Sequence, residues 1–189
     1  LRMGSELRLS DDELFDLCAR NPELRIERTA AGDLIVMTPA GGASGHRNLE
    51  ITSALAVWAR SDSTGVGFDS STGFVLPNGA MRAPDAAWVL RSRLEPLSSE
   101  AKEKFLPLCP DFVVELRSPA DRLGDLQARM EEYRDNGARL GWLVDPQERR
   151  VHVYRPGRPA EVLEGVAAVS GDPELAGLVL ELEPVWRPI

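Results

Sequence analysis

Apolar positions along the chain alternate between two periods, and the switch between them marks the elements. Ser10, followed by the acids of "DDEL", reads as an N-cap opening a short helix over 10–20. "LRIERT" and "DLIVMTP" read as two strands joined by the turn "AAGD", and a glycine-rich loop, "PAGGASGHRN", follows. Ile51, Ala54, Leu55 and Trp58 then fall on one face of a helix over 46–60. "GVGFDSSTGFVLPNGAMRAPDAAWVL" holds two or three strands, with Asn78-Gly79 as a hairpin turn that tolerates positive φ. Residues 91–106 are polar and helical in part, with Ser98 or Ser99 as a cap. "DFVVEL" is a strand. Leu123, Leu126, Met130 and Tyr133 line a helix over 120–136, which Gly137 closes. "RLGWLVDPQERRVHVYRP" is strand, polar turn and strand, and "AEVLEG" and "LVLELEPVW" are two late strands.

This order predicts an α/β protein with a mixed central β-sheet flanked by helices. The 189 residues suit one domain, 1–189. It divides into an N-terminal helix and strands (10–38), a core (39–155) and C-terminal strands (156–189). There are no repeats or low-complexity tracts. No apolar run approaches the roughly 18–20 residues of a spanning helix, which predicts no membrane association. The start, "LRMGSELRLSDDELF", lacks the apolar core of a signal peptide. Cys18 and Cys109 have no metal-ligand spacing and read as reduced thiols, so a cytoplasmic location is expected.

"CPDFVVELRSP" (109–119) sets Glu115 and Arg117 into an apolar strand. Side chains alternate along a strand, so Asp111, Val113, Glu115 and Arg117 share one face and Phe112, Val114 and Leu116 the other. Glu115 and Arg117 lie roughly 7 Å apart along it. In "APDAAWV", Asp85 again stands at the start of an apolar strand, after Pro84. If the two strands are neighbours, Asp85 and Glu115 can converge on a hard cation such as Mg²⁺, which takes one or two carboxylates plus water and phosphate oxygens. The plainer readings are a turn cap for Asp85 and a surface face for Glu115 and Arg117.

Pro-Asp on one short strand and Glu-x-basic on another resemble the PD-(D/E)XK nuclease superfamily. The longer blocks "STGFVLPNGAMRAPDAAWV", "CPDFVVELRSPADRLGDLQARMEEYRDNGARLGWLVDP" and "GDPELAGLVLELEPVW" resemble, more specifically, the Uma-two-type restriction endonuclease family (domain of unknown function 820). That resemblance spans about Ser10 to Trp186. It implies a restriction-endonuclease-like core, Mg²⁺ or Mn²⁺ as cofactor, DNA as substrate and, by analogy with enzymes that cut both strands, a homodimer. It makes Asp85 and Glu115 the metal-binding acids, ahead of Asp111, which lies on the same strand as Glu115. It places Glu50, on the first core helix, as a third metal-binding acid, with His46 one turn before it.

The chain departs from the pattern at the lysine. The superfamily position is Arg117; in relatives of this family the lysine stands four residues before a tyrosine, which here is Arg129, before Tyr133. Only Lys102 and Lys104 among the 22 basic residues are lysine. Arginine can fork a phosphate but does not serve as a general base. Arg129 could instead pair with Asp125 across one helical turn.

The net charge of −8 opposes tight nucleic-acid binding unless a local basic patch or dimer groove provides it. Two readings therefore stand: a metal-dependent endonuclease hydrolysing DNA phosphodiesters, and a non-cleaving module on the same fold that binds nucleic acid or a protein partner. A different phosphoester substrate is a third. Gly41, Gly42 and Gly45 lack the Lys-Ser/Thr of a P-loop and read as an ordinary loop. Asp121 and Asp125 read as solvated first-turn acids, and His152 as structural. No Gly-x-Ser-x-Gly elbow or Cys-His zinc spacing is present.

Overall fold

The computed structural model describes residues 2–3, 9–37 and 39–189. In chain order its elements are β1 (Arg2–Met3), α1 (Asp11–Arg20), β2 (Arg25–Arg28), β3 (Leu34–Met37), α2 (Gly42–Asp62), β4 (Gly65–Asp69), β5 (Phe74–Val75) and β6 (Met81–Arg82). There follow β7 (Ala86–Leu90), α3 (Arg91–Leu94), α4 (Ser99–Glu103), β8 (Phe112–Leu116), α5 (Leu123–Asp135), β9 (Leu140–Asp145) and β10 (Arg150–Tyr154). The chain closes with β11 (Glu161–Glu164), β12 (Ala168–Ser170), β13 (Val179–Glu181) and α6 (Glu183–Trp186).

The central sheet has the order β11-β10-β9-β8-β7-β4. Only β8 and β9 pair in parallel, because α5 carries the chain back across the sheet between them. The other pairs are antiparallel. Alternation sends Phe112, Val114 and Trp142 to one face, where they pack with Ile51, Leu55 and Trp58 of α2 and with Leu178, Leu180 and Trp186. Phe112 and Trp142 meet edge to face, ring centres 4.8 Å apart. Val113, Ala87, Val89 and Leu143 point the other way, against Leu126, Met130 and Tyr133 of α5. Strands buried on both faces carry continuous apolar runs, which is why a carboxylate within β8 stands out.

A second sheet, β1-β3-β2-β6-β5, packs its own small core with Leu14 of α1. Ser10 caps α1 through a reciprocal box: its hydroxyl accepts from Glu13 N–H at 3.3 Å, and the Glu13 carboxylate accepts from Ser10 N–H at 2.8 Å. The turn between β5 and β6 uses Gly79 at φ +85°. Asn78 there donates to Glu132 of α5 at 3.0 Å, so the turn is tied to the helix before the chain enters β7.

Several boundaries differ from the sequence reading. α2 begins at Gly42 rather than at residue 46, so Gly42 and Gly45 are helical and Gly41 is the cap. "LVLELEPVW" divides into β13 and the short α6, because Pro184 has no N–H for a ladder but suits a first helical turn. β12 pairs with β13 and has no counterpart in the reading. The polar stretch 91–106 forms two short helices, the second capped by Ser98, whose hydroxyl accepts from Ala101 N–H at 3.1 Å. Thr38, in the second predicted strand, lies outside the described residues. Cys18 and Cys109 are unpaired thiols. No helix among the described residues is long and apolar enough to cross a membrane.

Candidate active site

β7 and β8 are antiparallel neighbours with Ala86 opposite Val114. One further step in that register sets Asp85 against Glu115. Asp85 Oδ2 accepts from Leu116 N–H at 2.8 Å, which fixes the carboxylate beside the end of β8. Glu115 is 3% exposed. Its Oε1 accepts from the Tyr133 hydroxyl at 3.0 Å, and Arg129 Nη1 lies 3.5 Å from its Oε2. Arg129 and Tyr133 are one turn apart on α5, so both reach the same carboxylate.

Arg129 has a second partner that the sequence reading missed. Glu27, on β2 and fully buried, faces its guanidinium, with Nη2–Oε2 at 3.2 Å and Nη1–Oε1 at 3.4 Å. Glu27 also accepts from Ala83 N–H at 3.1 Å and pairs with Arg82 at 3.3 Å. Arg82 in turn donates to Glu132 at 2.6 Å. Arg25, two positions before Glu27, bonds to the Ala83 carbonyl and stands 3.6 Å from Asp85 Oδ1. The smaller sheet thus brings Arg25, Glu27 and Arg82 to the acids of the larger one. The signal for Glu27 lay in "LRIERT", a strand with Arg25 and Glu27 on one face, the same acid-and-arginine alternation as in "VVELR".

Burial shapes the electrostatics. It pushes the Glu115 carboxyl up to about 7; Arg129 opposes the rise, and Asp85 and Glu27 add to it. Burial also raises Asp85, against the Leu116 N–H bond and the Arg25 charge. Tyr133 is pushed far up by burial and then by Glu115, so its phenol stays protonated and donates. Burial alone would lower Arg129, but Glu115 and Glu27 outweigh it and raise its pKa, which leaves the guanidinium charged. Two adjacent carboxyls that both resist ionisation would gain from a cation between them. Their oxygens are hard donors suited to Mg²⁺ or Mn²⁺. Among the described residues no group of three or more His, Cys, Asp or Glu side chains is disposed to hold a metal. Asp85 and Glu115 could supply at most two carboxylate ligands to such an ion, with water or substrate supplying the rest.

The remaining candidates lie elsewhere. Arg117 gives its charge to Asp145, at 2.7 Å, and donates more weakly to the Asp121 carbonyl. Glu50 pairs with His46 at 3.7 Å across one turn of α2, the helix packed on the sheet face opposite Glu115. Asp111 sits at the other end of β8, where it accepts from Leu90 N–H at 2.9 Å and pairs with Arg93 at 3.0 Å. Arg129 turns to Glu27 and Glu115 instead of to Asp125. Asp121 accepts from Ser118 N–H at 2.8 Å, at the turn into α5. His152 is buried on β10 beside Asp145, and burial lowers its pKa.

A mixed sheet between helices, with one acid just before β7 and one within β8 meeting a helix-borne arginine, defines an α/β protein of the restriction-endonuclease-like class. The comparisons agree. The chain belongs to the Uma2 family, described as "Putative restriction endonuclease", which matches residues 11–183. It is similar in fold to a crystal structure described as a "putative nuclease belonging to DUF820" from Anabaena variabilis. That similarity has a TM-score of 0.76 and 20% identity, and covers 95% of this chain and 98% of the other. No curated protein matches the chain.

Proposed function

We propose that this protein is a metal-dependent endonuclease that hydrolyses DNA phosphodiesters at the Asp85–Glu115 site. The observation that carries the proposal is the meeting of the buried Glu115 carboxyl and the partly buried Asp85 carboxyl across the β7–β8 register, with Arg129 within reach of Glu115. Asp85 and Glu115 are the ligands for Mg²⁺ or Mn²⁺. Glu27, rather than the distant Glu50, acts as the third acid of the site, by holding Arg129. Arg129 faces the phosphate and stabilises the charge that builds on it during displacement. Tyr133 orients Glu115. Arg117 anchors the end of β8 to β9 through Asp145. The bound cation would supply Lewis-acid activation of the water.

The test is cleavage of supercoiled plasmid in Mn²⁺. We expect nicking by the wild type and loss of it in Asp85→Ala and Glu115→Ala. Equal cleavage by Glu115→Ala would assign the activity to something other than this site.

One observation favours the second reading, a non-cleaving module that binds nucleic acid or a protein partner. Arg129 stands where the family resemblance implies a lysine, and it is held charged by two acids. Arg129→Lys separates the two readings. A silent wild type with an active Arg129→Lys variant identifies a fold whose chemistry the arginine has switched off. Cleavage by the wild type that the lysine merely accelerates supports the endonuclease.

A further inference from the structure

The charged side chains around Asp85 and Glu115 differ sharply in their exposure. Side-chain exposure is 0% for Glu27, 4% for Glu115, 9% for Arg82, 17% for Arg129 and 19% for Asp85, but 36% for Arg25. An anion arriving from solvent therefore meets Arg25 first.

Arg25 is also the least committed of these cations. Arg82 is held by Glu27 and Glu132, and Arg129 by Glu27 and Glu115. Among the described residues the Arg25 side chain makes one hydrogen bond, from Nη2 to the Ala83 carbonyl. Its Nη1 lies 3.6 Å from Asp85 Oδ1, beyond a good hydrogen bond, and its buried Nε–H has no partner among the described residues. A guanidinium has five donors in a planar fork. Here the Ala83 carbonyl fixes the plane, and Nη1, which faces Asp85, makes no hydrogen bond among the described residues.

We propose that Arg25 is a phosphate-contacting residue: its Nη1 edge binds a non-bridging oxygen of the substrate phosphate beside Asp85. The inference rests on the endonuclease reading for the identity of the substrate, but the phosphate contact itself is separable from it. Asp85 repels an anion that arrives alone, so the contact strengthens when a cation neutralises Asp85. Arg25 and Arg129 then hold the phosphate from two elements, β2 and α5, and a displacement of the smaller sheet would weaken binding without moving the metal-binding acids.

The probe is inorganic phosphate with Mg²⁺, followed through the ¹⁵N–¹H signal of Arg25 Nε and by calorimetry. We expect a saturable shift of that signal in the wild type. Arg25→Gln should bind phosphate about tenfold more weakly, the loss of one charge-assisted contact. Arg25→Lys should fall between the two, while an Arg158→Gln control at an exposed turn behaves as wild type. Mg²⁺ affinity should not fall in Arg25→Gln. An Arg25 signal unmoved at saturating phosphate overturns the proposal, and so does wild-type phosphate affinity in Arg25→Gln. The wild-type signal settles the matter even if a variant fails to fold. Plasmid cleavage in the same preparations tells the two ideas apart. Phosphate held at Arg25 with no DNA nicked defeats only the nuclease reading. Nicking by Arg25→Gln at wild-type kcat and KM defeats only the contact.

Discussion

Glu115 combines near-complete burial, a tyrosine donor and an arginine, and its carboxyl titrates at about 7. Its folded value lies above the ordinary 4.5, so the folded protein binds this proton more tightly than the unfolded chain does. The associated stability is complete below about 4.5 and is lost as the pH rises to about 7, for a total of about 3 kcal/mol. Glu115→Gln cannot titrate, so its stability relative to wild type should increase by up to that amount between pH 5 and pH 8. Urea unfolding at the two pH values measures the difference, and a constant offset would contradict the raised value. Arg129 makes the complementary case. Arg129→Ala leaves Glu27 and Glu115 buried without their shared cation and should cost about 3–5 kcal/mol, whereas Arg129→Lys keeps the charge and should cost less. Thermal melts would show the order; an alanine variant as stable as the lysine variant would mean that the bridge contributes nothing.

At the scale of elements, the site depends on how strand ends are fixed. Arg117 joins the end of β8 to Asp145 at the end of β9, and Asp145 is fully buried. Arg117→Met should destabilise the fold by roughly 2–4 kcal/mol through the orphaned carboxylate, yet leave Mn²⁺ affinity at Asp85 and Glu115 unchanged. Unaltered stability with lost metal affinity would return Arg117 to the chemistry. β4 meets β7 through a similarly strict contact. A Cβ on Gly65 would lie 2.3 Å from the Trp88 ring and 2.5 Å from the Val89 carbonyl. Neither can move without disturbing β7, the strand that follows Asp85. Gly65→Ala should therefore cost about 3 kcal/mol, read as a lower urea midpoint.

For the whole molecule, the net charge of −8 sets the terms of any encounter with nucleic acid. Both partners are negative, so affinity must come from a local concentration of positive charge, to which a bound cation at Asp85 and Glu115 would add. Fluorescence anisotropy with a short duplex should show binding in Mg²⁺, little in EDTA, and a steep loss with added salt. Equal binding with and without divalent ions would place the DNA on a surface away from this site.

The sequence by itself determined the alternation of strands and helices, the apolar run of β8, and the family. Those follow from periodicity and from long motif blocks that local chemistry keeps intact. It also marked Asp85 and Glu115, as acids interrupting or opening apolar strands, while Arg129 was implied only by the resemblance to the family. It showed Glu27 only as an acid on one strand face with Arg25, since a residue 88 positions before Glu115 meets the site only when the smaller sheet packs on the larger. Nor could it tell which acid Arg117, just past β8, and Arg129, on α5, would each face: Asp145 takes the first charge, and Glu27 with Glu115 takes the second. Side-chain pairing across sheets is a property of tertiary packing, where low dielectric and burial force each charge to find a partner. That packing, and not the order of residues, decided which arginine reached the acids of the site.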